Sequence, residues 1–409
     1  MKTSTPMFGA VEKELTSKTD VSIINIVNIL IEEAHKLGAS DIHIDPSEEG
    51  MRVRLRVDGV MQDPYIFTKA VRSEIVSRIK VIAGLRTDEH QMTQDGRFRH
   101  VFSHGGFVDV RVSIAPTYHG ENVVMRLLFD KAEHFTLSML GFSETDQKKI
   151  THAIKKPSGM ILVTGPTGSG KTTTLYTLVR MLNSKEISIV TIEDPIEYAV
   201  PGIEQIQVNA RSGLTFATGL RTILRQDPNI IMVGEIRDME TASIAVNTAL
   251  TGHTLLSTLH TNDAATTLPR LLDMHIESFL VASTVNISIG QRLVRKICES
   301  CKEKVVVTEA FAKSLSEIPL VKPVKKGEVF YHGVGCEKCN GTGYTGRLVI
   351  AEVLVADNEI REAIMIKASA SELKRIAVKN GMTTMLEDGF AKVRSGITSV
   401  EEVLHVIHE

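Results

Sequence analysis

No apolar run in this 409-residue chain approaches the roughly 18–20 residues needed to cross a bilayer. Residues 1–20 are polar and hold no apolar core of the kind a signal peptide carries. The expected setting is therefore the cytosol. Charge of one sign is missing too: 47 Lys and Arg stand against 49 Asp and Glu, a net charge of −2. No basic field argues for nucleic acid. Cysteine is scarce, four in all, and in a reducing compartment four thiols point to metal rather than to disulfides. What is present is a globular composition, 43% hydrophobic and 23% charged. A chain of this length exceeds one ordinary core, so two or three domains are expected.

One stretch carries the most chemistry. The β-branched run Ile161 to Val163 reads as a buried strand. It enters Gly165-Pro166-Thr167-Gly168-Ser169-Gly170-Lys171-Thr172, which fits G-x-x-x-x-G-K-[ST] at every fixed position. Thr173 to Leu182 then read as helix. Glycines let such a loop curl so that its backbone N–H groups face a phosphate chain. Lys171 can reach the β/γ-phosphates, and the Thr172 hydroxyl can ligate Mg²⁺. The motif implies a bound nucleoside triphosphate, ATP being the expected one.

Taken in order, residues 1–20 read as a flexible arm. Asp20 or Ser22 can cap a helix whose apolar positions Ile23, Val27, Leu30, Ile31 and Ala34 recur at helical spacing. It stops at Gly38, where an alternating strand, Ala39 to Asp45, begins. Met51 to Val57 also alternates, placing Met51, Val53, Leu55 and Val57 on one face and Arg52, Arg54 and Arg56 on the other. Asp58-Gly59 is a hairpin signal. A helical stretch from Lys69 to Gly84 and strands near 97–102, 107–114 and 123–128 complete an α+β domain over residues 21–130. Residues 131–141 read as a linker. Residues 142–409 then alternate apolar strands (187–192, 230–233, 254–257) with helices, which implies α/β: a parallel sheet covered by helices. A helical tail runs from Glu359, with capping signals at Ser369 and Ser399.

A phosphate loop needs a second acidic site to hold metal and aim the attacking water. Ile230 to Val233 is an apolar strand leading to Gly234-Glu235, with glycine at the usual aspartate position. Glu235 must then act alone or through water held by Mg²⁺. Thr191 to Glu197 offers Glu193, Asp194 and Glu197 at another strand end, where ligands of open α/β sheets gather. Gly252 to Asp263 holds His253 and His260, seven residues apart, and suggests a sensor of phosphate state. Cys298-x2-Cys301 and Cys336-x2-Cys339, separated by 34 residues, suit one tetrahedral, structural Zn²⁺ within an element spanning about residues 295–347.

Together these stretches resemble the Walker A, Asp box, Walker B and His box of the secretion ATPase superfamily. Within it the chain is similar to the type II secretion ATPase and the type IV pilus assembly (extension) ATPase. Gly38 to Asp45, Gln94 to Arg97 and Asp109 to Ser113 look like that family's second N-terminal domain, and the match runs from residue 21 to 409. The resemblance implies a RecA-like ATPase domain and a ring, a hexamer. Mg-ATP hydrolysis would drive an inner-membrane platform protein from the cytoplasmic face, with only peripheral membrane contact and no nucleic acid. It implies that Arg97, Arg111, Arg221 and Arg225 face nucleotide, where a guanidinium has leverage on the order of 10³-fold in rate. It also implies that extension-type motors carry the tetracysteine element, which retraction motors generally lack. Longer relatives have a further N-terminal docking domain, and only about 20 residues precede the match here; the expectation is either docking through the remaining domains or a shortened chain. A retraction motor, a DNA-translocating relative and a non-hydrolysing nucleotide-gated scaffold are the alternatives. Arg52, Arg54 and Arg56 lack the interleaved aromatics of a nucleic-acid surface, so an interdomain or intersubunit role is expected for them.

Overall fold

The computed structural model describes residues 22–103, 105–128, 135–318, 320 and 322–408. The expected arm at 1–20 and the start of the expected linker lie outside the described residues. The chain groups into two compact units, one of residues up to 133 with Gly335–Thr345, the other of 134–334 and 346–409.

In the first unit, a helix at Ile23–Lys36 is capped by the Ser22 hydroxyl, which accepts from Asn25 N at 3.3 Å. It buries Ile26, Val27, Leu30, Ile31 and Ala34. Six strands follow: β1 (Ala39–Pro46), β2 (Gly50–Val57), β3 (Val60–Thr68), β4 (Gln94–Val101), β5 (Phe107–Thr117) and β6 (Gly120–Leu128). They form one antiparallel sheet in the order β3-β2-β1-β6-β5-β4, with a second helix at Arg72–Ile82. Val57 pairs with Val60 across Asp58-Gly59, both at positive φ, as a two-residue hairpin requires. Strand β3 has no clear signal in the sequence, because Pro64 interrupts it. It survives at the sheet edge, where a missing donor costs little, and its register with β2 slips beside Asp63-Pro64.

The alternation of β2 holds. Met51, Val53 and Leu55 are fully buried. Arg52 pairs with Asp63 at 2.6 Å, Arg54 with Asp45 at 2.7 Å and Arg56 with Asp41 at 3.7 Å. Exposed pairs of this kind contribute only about 0–1 kcal/mol each. Their consequence is electrostatic: carboxylates of the same sheet neutralise the basic stripe.

The second unit is built on strands β7 (Gly159–Thr164), β8 (Ile189–Glu193), β9 (Glu204–Gln207), β10 (Ile230–Val233), β11 (Thr254–Leu259), β12 (Val285–Ile297) and β15 (Tyr344–Val355). A separate hairpin joins β13 (Lys302–Val306) and β14 (Val329–Gly333). The large sheet has the order β15-β12-β7-β11-β10-β8-β9, and β12 through β9 run parallel. Every residue of β7, β8, β10 and β11 is buried. That is why these strands read as continuous apolar runs.

Alternate residues feed two cores. Met160, Leu162, Ile231 and Val233 pack beneath helices that include Met239–Leu250 and Asn358–Met365. Ile161, Val163, Ile230 and Met232 pack beneath those that include Glu144–Ile154 and Lys171–Leu182. Within the expected linker, Leu137–Leu140 forms one helical turn whose two leucines are buried in this second core.

Candidate active site

β7 lies inside the sheet between β12 and β11, and its C-terminal end releases the glycine loop. Gly165, Gly168 and Gly170 all adopt positive φ, at 144°, 80° and 86°. Gly165 also has no room for a side chain: a Cβ there would lie 2.3 Å from the Gln291 carbonyl oxygen and 2.7 Å from Ser169 Oγ. Pro166, Thr167 and Gly168 form an exposed crest, whereas Ser169 is buried with its hydroxyl unpartnered among the described residues. Helix Lys171–Leu182 begins directly after Gly170, so its free N-terminal amides point at the loop. Lys171 Nζ donates to the carbonyls of Gly165 and Pro166 at 2.8 and 3.0 Å. Burial pulls its pKa below the ordinary 10.5, and Glu235 acts in the opposite direction. Thr172 and Thr173 occupy the first turn of the same helix.

Glu235 follows β10 on the same sheet edge. Its carboxylate is 12% exposed, with Oε1 at 2.5 Å from Arg237 Nη2 and Oε2 at 3.1 Å from His260 Nε2. The hydrogen bond to Glu235 raises the Arg237 pKa, with Asp194 adding a weaker pull. Asp194, exposed just beyond β8, therefore belongs to the same acidic and basic rim. Thr164 at the end of β7 locks this rim to the turn after β11. Its hydroxyl donates towards Thr261 O at 2.9 Å and accepts from Thr261 N at 3.0 Å.

Glu193 closes β8, at the strand end where ligands are expected to gather, but it is enclosed there. It is buried, and its two oxygens accept hydrogen bonds from Tyr176, from Thr191 at 2.6 Å and from Gln205 at 3.0 Å. Burial, then the adjacent Glu193, pushes the Tyr176 hydroxyl pKa far above its ordinary 10. The arrangement holds the end of β8 rather than offering a free acceptor.

His253 does not join His260 at the site. It precedes β11, whose six residues at about 3.3 Å each separate it by roughly 20 Å from the end that carries His260. Its ring faces Thr248 O at 3.2 Å, and its carbonyl accepts from Gly159 N at the opposite end of β7 from the loop. Seven residues of sequence span the whole sheet.

Of the four arginines, Arg97 and Arg111 face each other across β4 and β5, and Arg111 faces Arg126 across β5 and β6. Like charges directly opposed are unfavourable unless something anionic offsets them. Asp41 does so for Arg126 at 2.9 Å. Arg221, on helix Phe216–Ile223, pairs with Glu240 at 2.7 Å. Arg225 lies past that helix, not on it, and reaches back to the Arg221 carbonyl at 3.0 Å. Both are exposed.

The four cysteines converge. Their Sγ atoms lie within 4.8 Å of one another, and Cys298, Cys301 and Cys339 are buried. Cys336 and Cys339 Sγ are 3.7 Å apart. A tetrahedral zinc with Zn–S of about 2.3 Å has S···S edges of about 3.8 Å, so the donor set fits. Cys339 Sγ also accepts from the amides of Cys336 and Gly343, at 3.1 and 3.2 Å, as a metal-bound thiolate would. Cys298 follows β12 directly, and Cys336 opens a tight turn that closes at Asn340 with φ 50°.

Arg237, Tyr176, Gln205, Thr164 and Gln291 stand at or beside the site without having been among the expected residues. Only Arg237 had a signal, two residues from Glu235. The others are polar residues within buried strands or a helix, and their roles exist only through partners far along the chain.

Comparison with known proteins identifies the family. The family described as type II/IV secretion system protein matches residues 16–405. The chain is 45% identical to type II secretion system protein E of Xanthomonas campestris, covering 96% of this chain and 68% of that one. It is 46% identical to type II secretion system ATPase E of Vibrio cholerae, covering 97% and 78%. With the type IV pilus assembly ATPase PilB of Thermus thermophilus it shares 45% identity over 92% of this chain and 42% of that one. Among solved structures, the Legionella pneumophila ATPase DotB shares the fold, with a TM-score of 0.69 at 23% identity, covering 96% and 97% of the two chains. The pilus retraction motor PilT with bound ADP superposes with a TM-score of 0.63 at 25% identity, covering 93% and 96%. No helix among the described residues is long and apolar enough to cross a membrane. The chain belongs to the type II/IV secretion system protein family and is an ATPase of that family.

Proposed function

We propose that this chain is an assembly motor: a homo-oligomeric ring, a hexamer, that hydrolyses Mg-ATP to drive growth of a type II secretion pseudopilus or a type IV pilus. The observation that carries the reading is the meeting of Lys171, Glu235, His260 and Arg237 at one edge of the sheet, beside the glycine loop. Gly165 to Thr173 would cradle the phosphates, with Lys171 leaving its carbonyl partners to meet phosphate oxygens. Thr172 and Glu235 would hold Mg²⁺, which would neutralise phosphate charge. Glu235 orients the attacking water, and His260 reports phosphate loss to the turn after β11. Glu193 fixes the end of β8 so that Asp194 stays on the rim. Arg97, Arg111, Arg221 and Arg225 supply guanidinium charge to nucleotide, some across a subunit boundary.

Hydrolysis would become domain motion, passed to an inner-membrane platform protein at the cytoplasmic face. The closed cysteine cluster supports assembly over retraction, and zinc would there be structural. The neutralised stripe of Arg52, Arg54 and Arg56 weighs against a DNA translocator. Steady-state hydrolysis measured against protein concentration, with Lys171→Ala alongside, tests the ring. A more than linear rise, abolished by the substitution, is expected. Strictly linear activity would place the whole site in one chain.

A further inference from the structure

Gln291 is fully buried in β12, one residue after Gly290, which pairs with Thr164 at the end of β7. Its carboxamide spans the glycine loop and the helix that follows. Nε2 donates to the Ser169 carbonyl at 2.8 Å, and Oε1 accepts from the Thr174 hydroxyl at 2.8 Å. Both ends of a buried amide are thus satisfied by the two segments flanking Lys171, which offsets the cost of desolvating it. The backbone of Gln291 closes the same contact, since its carbonyl leaves space only for glycine at position 165.

The consequence follows from peptide geometry. In a trans peptide the C=O of one residue and the N–H of the next point to opposite sides. Holding the Ser169 carbonyl against β12 therefore turns the Gly170 N–H away from β12 and into the loop. The amides of Gly168 and Gly170 donate to no acceptor among the described residues. They are left directed, not consumed.

We propose that Gln291 is a positioning residue for phosphate binding: its bridge between Ser169 and Thr174 fixes the loop amides that meet the nucleotide. This rests on the reading of Gly165 to Thr173 as the ATP cradle. Loss of the bridge would weaken ground state and transition state alike, which raises KM and leaves kcat.

The test is ATP hydrolysis and equilibrium ATP binding by the full chain carrying Gln291→Met, Thr174→Val or Lys171→Ala. Gln291→Met keeps the side-chain length and removes both hydrogen bonds. It should raise KM and the ATP Kd by about tenfold, with kcat within about threefold of the parent. A merely structural role would lower the active fraction, so that kcat falls while KM stays parental; that result overturns the proposal. If Gln291→Met does not fold, Thr174→Val cuts one arm of the bridge and is read by the same split. Lys171→Ala separates the two readings. Parental ATP binding and hydrolysis in that variant would remove the cradle itself. Their loss, alongside a parental KM in both bridge variants, would remove only the role of Gln291.

Discussion

His260 Nε2 lies 3.1 Å from Glu235 Oε2, joining the turn after β11 to the tip of β10. Neither residue is near the other in sequence; the parallel pairing of the two strands, Val233 beside Ser257, brings them together. Hydrogen bonds thus link Glu235 to the turn after β11 through His260, and that turn to the end of β7 through Thr164 and Thr261.

Glu235→Gln keeps the shape of the side chain and removes its charge. Hydrolysis is expected to fall by roughly 10²-fold or more while ATP binding persists. Stopped assays of phosphate release beside equilibrium binding check this. A parental kcat would take Glu235 out of the chemistry.

The two histidines should separate cleanly. His260→Ala is expected to lower kcat by about tenfold, because it frees Glu235 from one partner. His253→Ala is expected to leave turnover alone and to lower Tm by about 2–4 °C, the effect of losing a contact of about 1 kcal/mol. Equal losses of kcat in both variants would contradict the placement of His253 at the far end of β11.

Metal analysis of reduced, freshly purified protein should find about one zinc per chain. Cys339→Ser, which removes the thiol that accepts two amide hydrogens, should abolish it and lower the melting temperature. Absence of zinc from the parent protein would discard the metal centre.

A part-buried charge network at Asp263, three residues after His260, predicts a pH dependence. Lys374 Nζ lies 3.3 Å from the fully buried Glu352 and 3.4 Å from Asp263. Burial alone would raise the Asp263 pKa, but hydrogen bonds from Thr266 and the charge of Lys374 outweigh it and hold it below 3.8. A depressed carboxylate adds stability above its unfolded value and loses it as pH falls through the folded one. For Lys374, burial opposes the charge and the two carboxylates outweigh it, so its pKa is raised above 10.5. That contribution is complete below 10.5 and is lost as pH climbs through the raised value. Asp263→Asn should therefore flatten the acid limb of a plot of urea midpoint against pH and, by removing one of the two carboxylates that raise Lys374, bring the alkaline loss to lower pH. An unchanged acid limb would show that Asp263 does not carry it.

Much of this was legible in the chain. The glycine loop, the Glu235 strand tip and the paired cysteines announce themselves because local backbone needs dictate residue type at fixed spacing. The first helix was legible through Val27, Leu30, Ile31 and Ala34, one apolar stripe. Strand β3 was not, because Pro64 argues against a strand and only its edge position permits one. Strand β12 was not, because Ser288, Gly290, Gln291 and Arg292 break an apolar pattern that burial between two layers nonetheless satisfies.

The sequence alone pointed to phosphate chemistry and a four-thiol site, since the glycine loop and each cysteine pair are motifs of fixed spacing within a few residues. Tertiary structure decided which members take part. It carried His253 to the far end of a strand, drew both oxygens of Glu193 into hydrogen bonds with Tyr176, Thr191 and Gln205, and gave Arg52, Arg54 and Arg56 carboxylates of their own sheet. It also brought Gln291 against the glycine loop from more than a hundred residues away. Each of these outcomes depends on strand order and register, which are set by the packing of whole faces and not by the spacing of any motif.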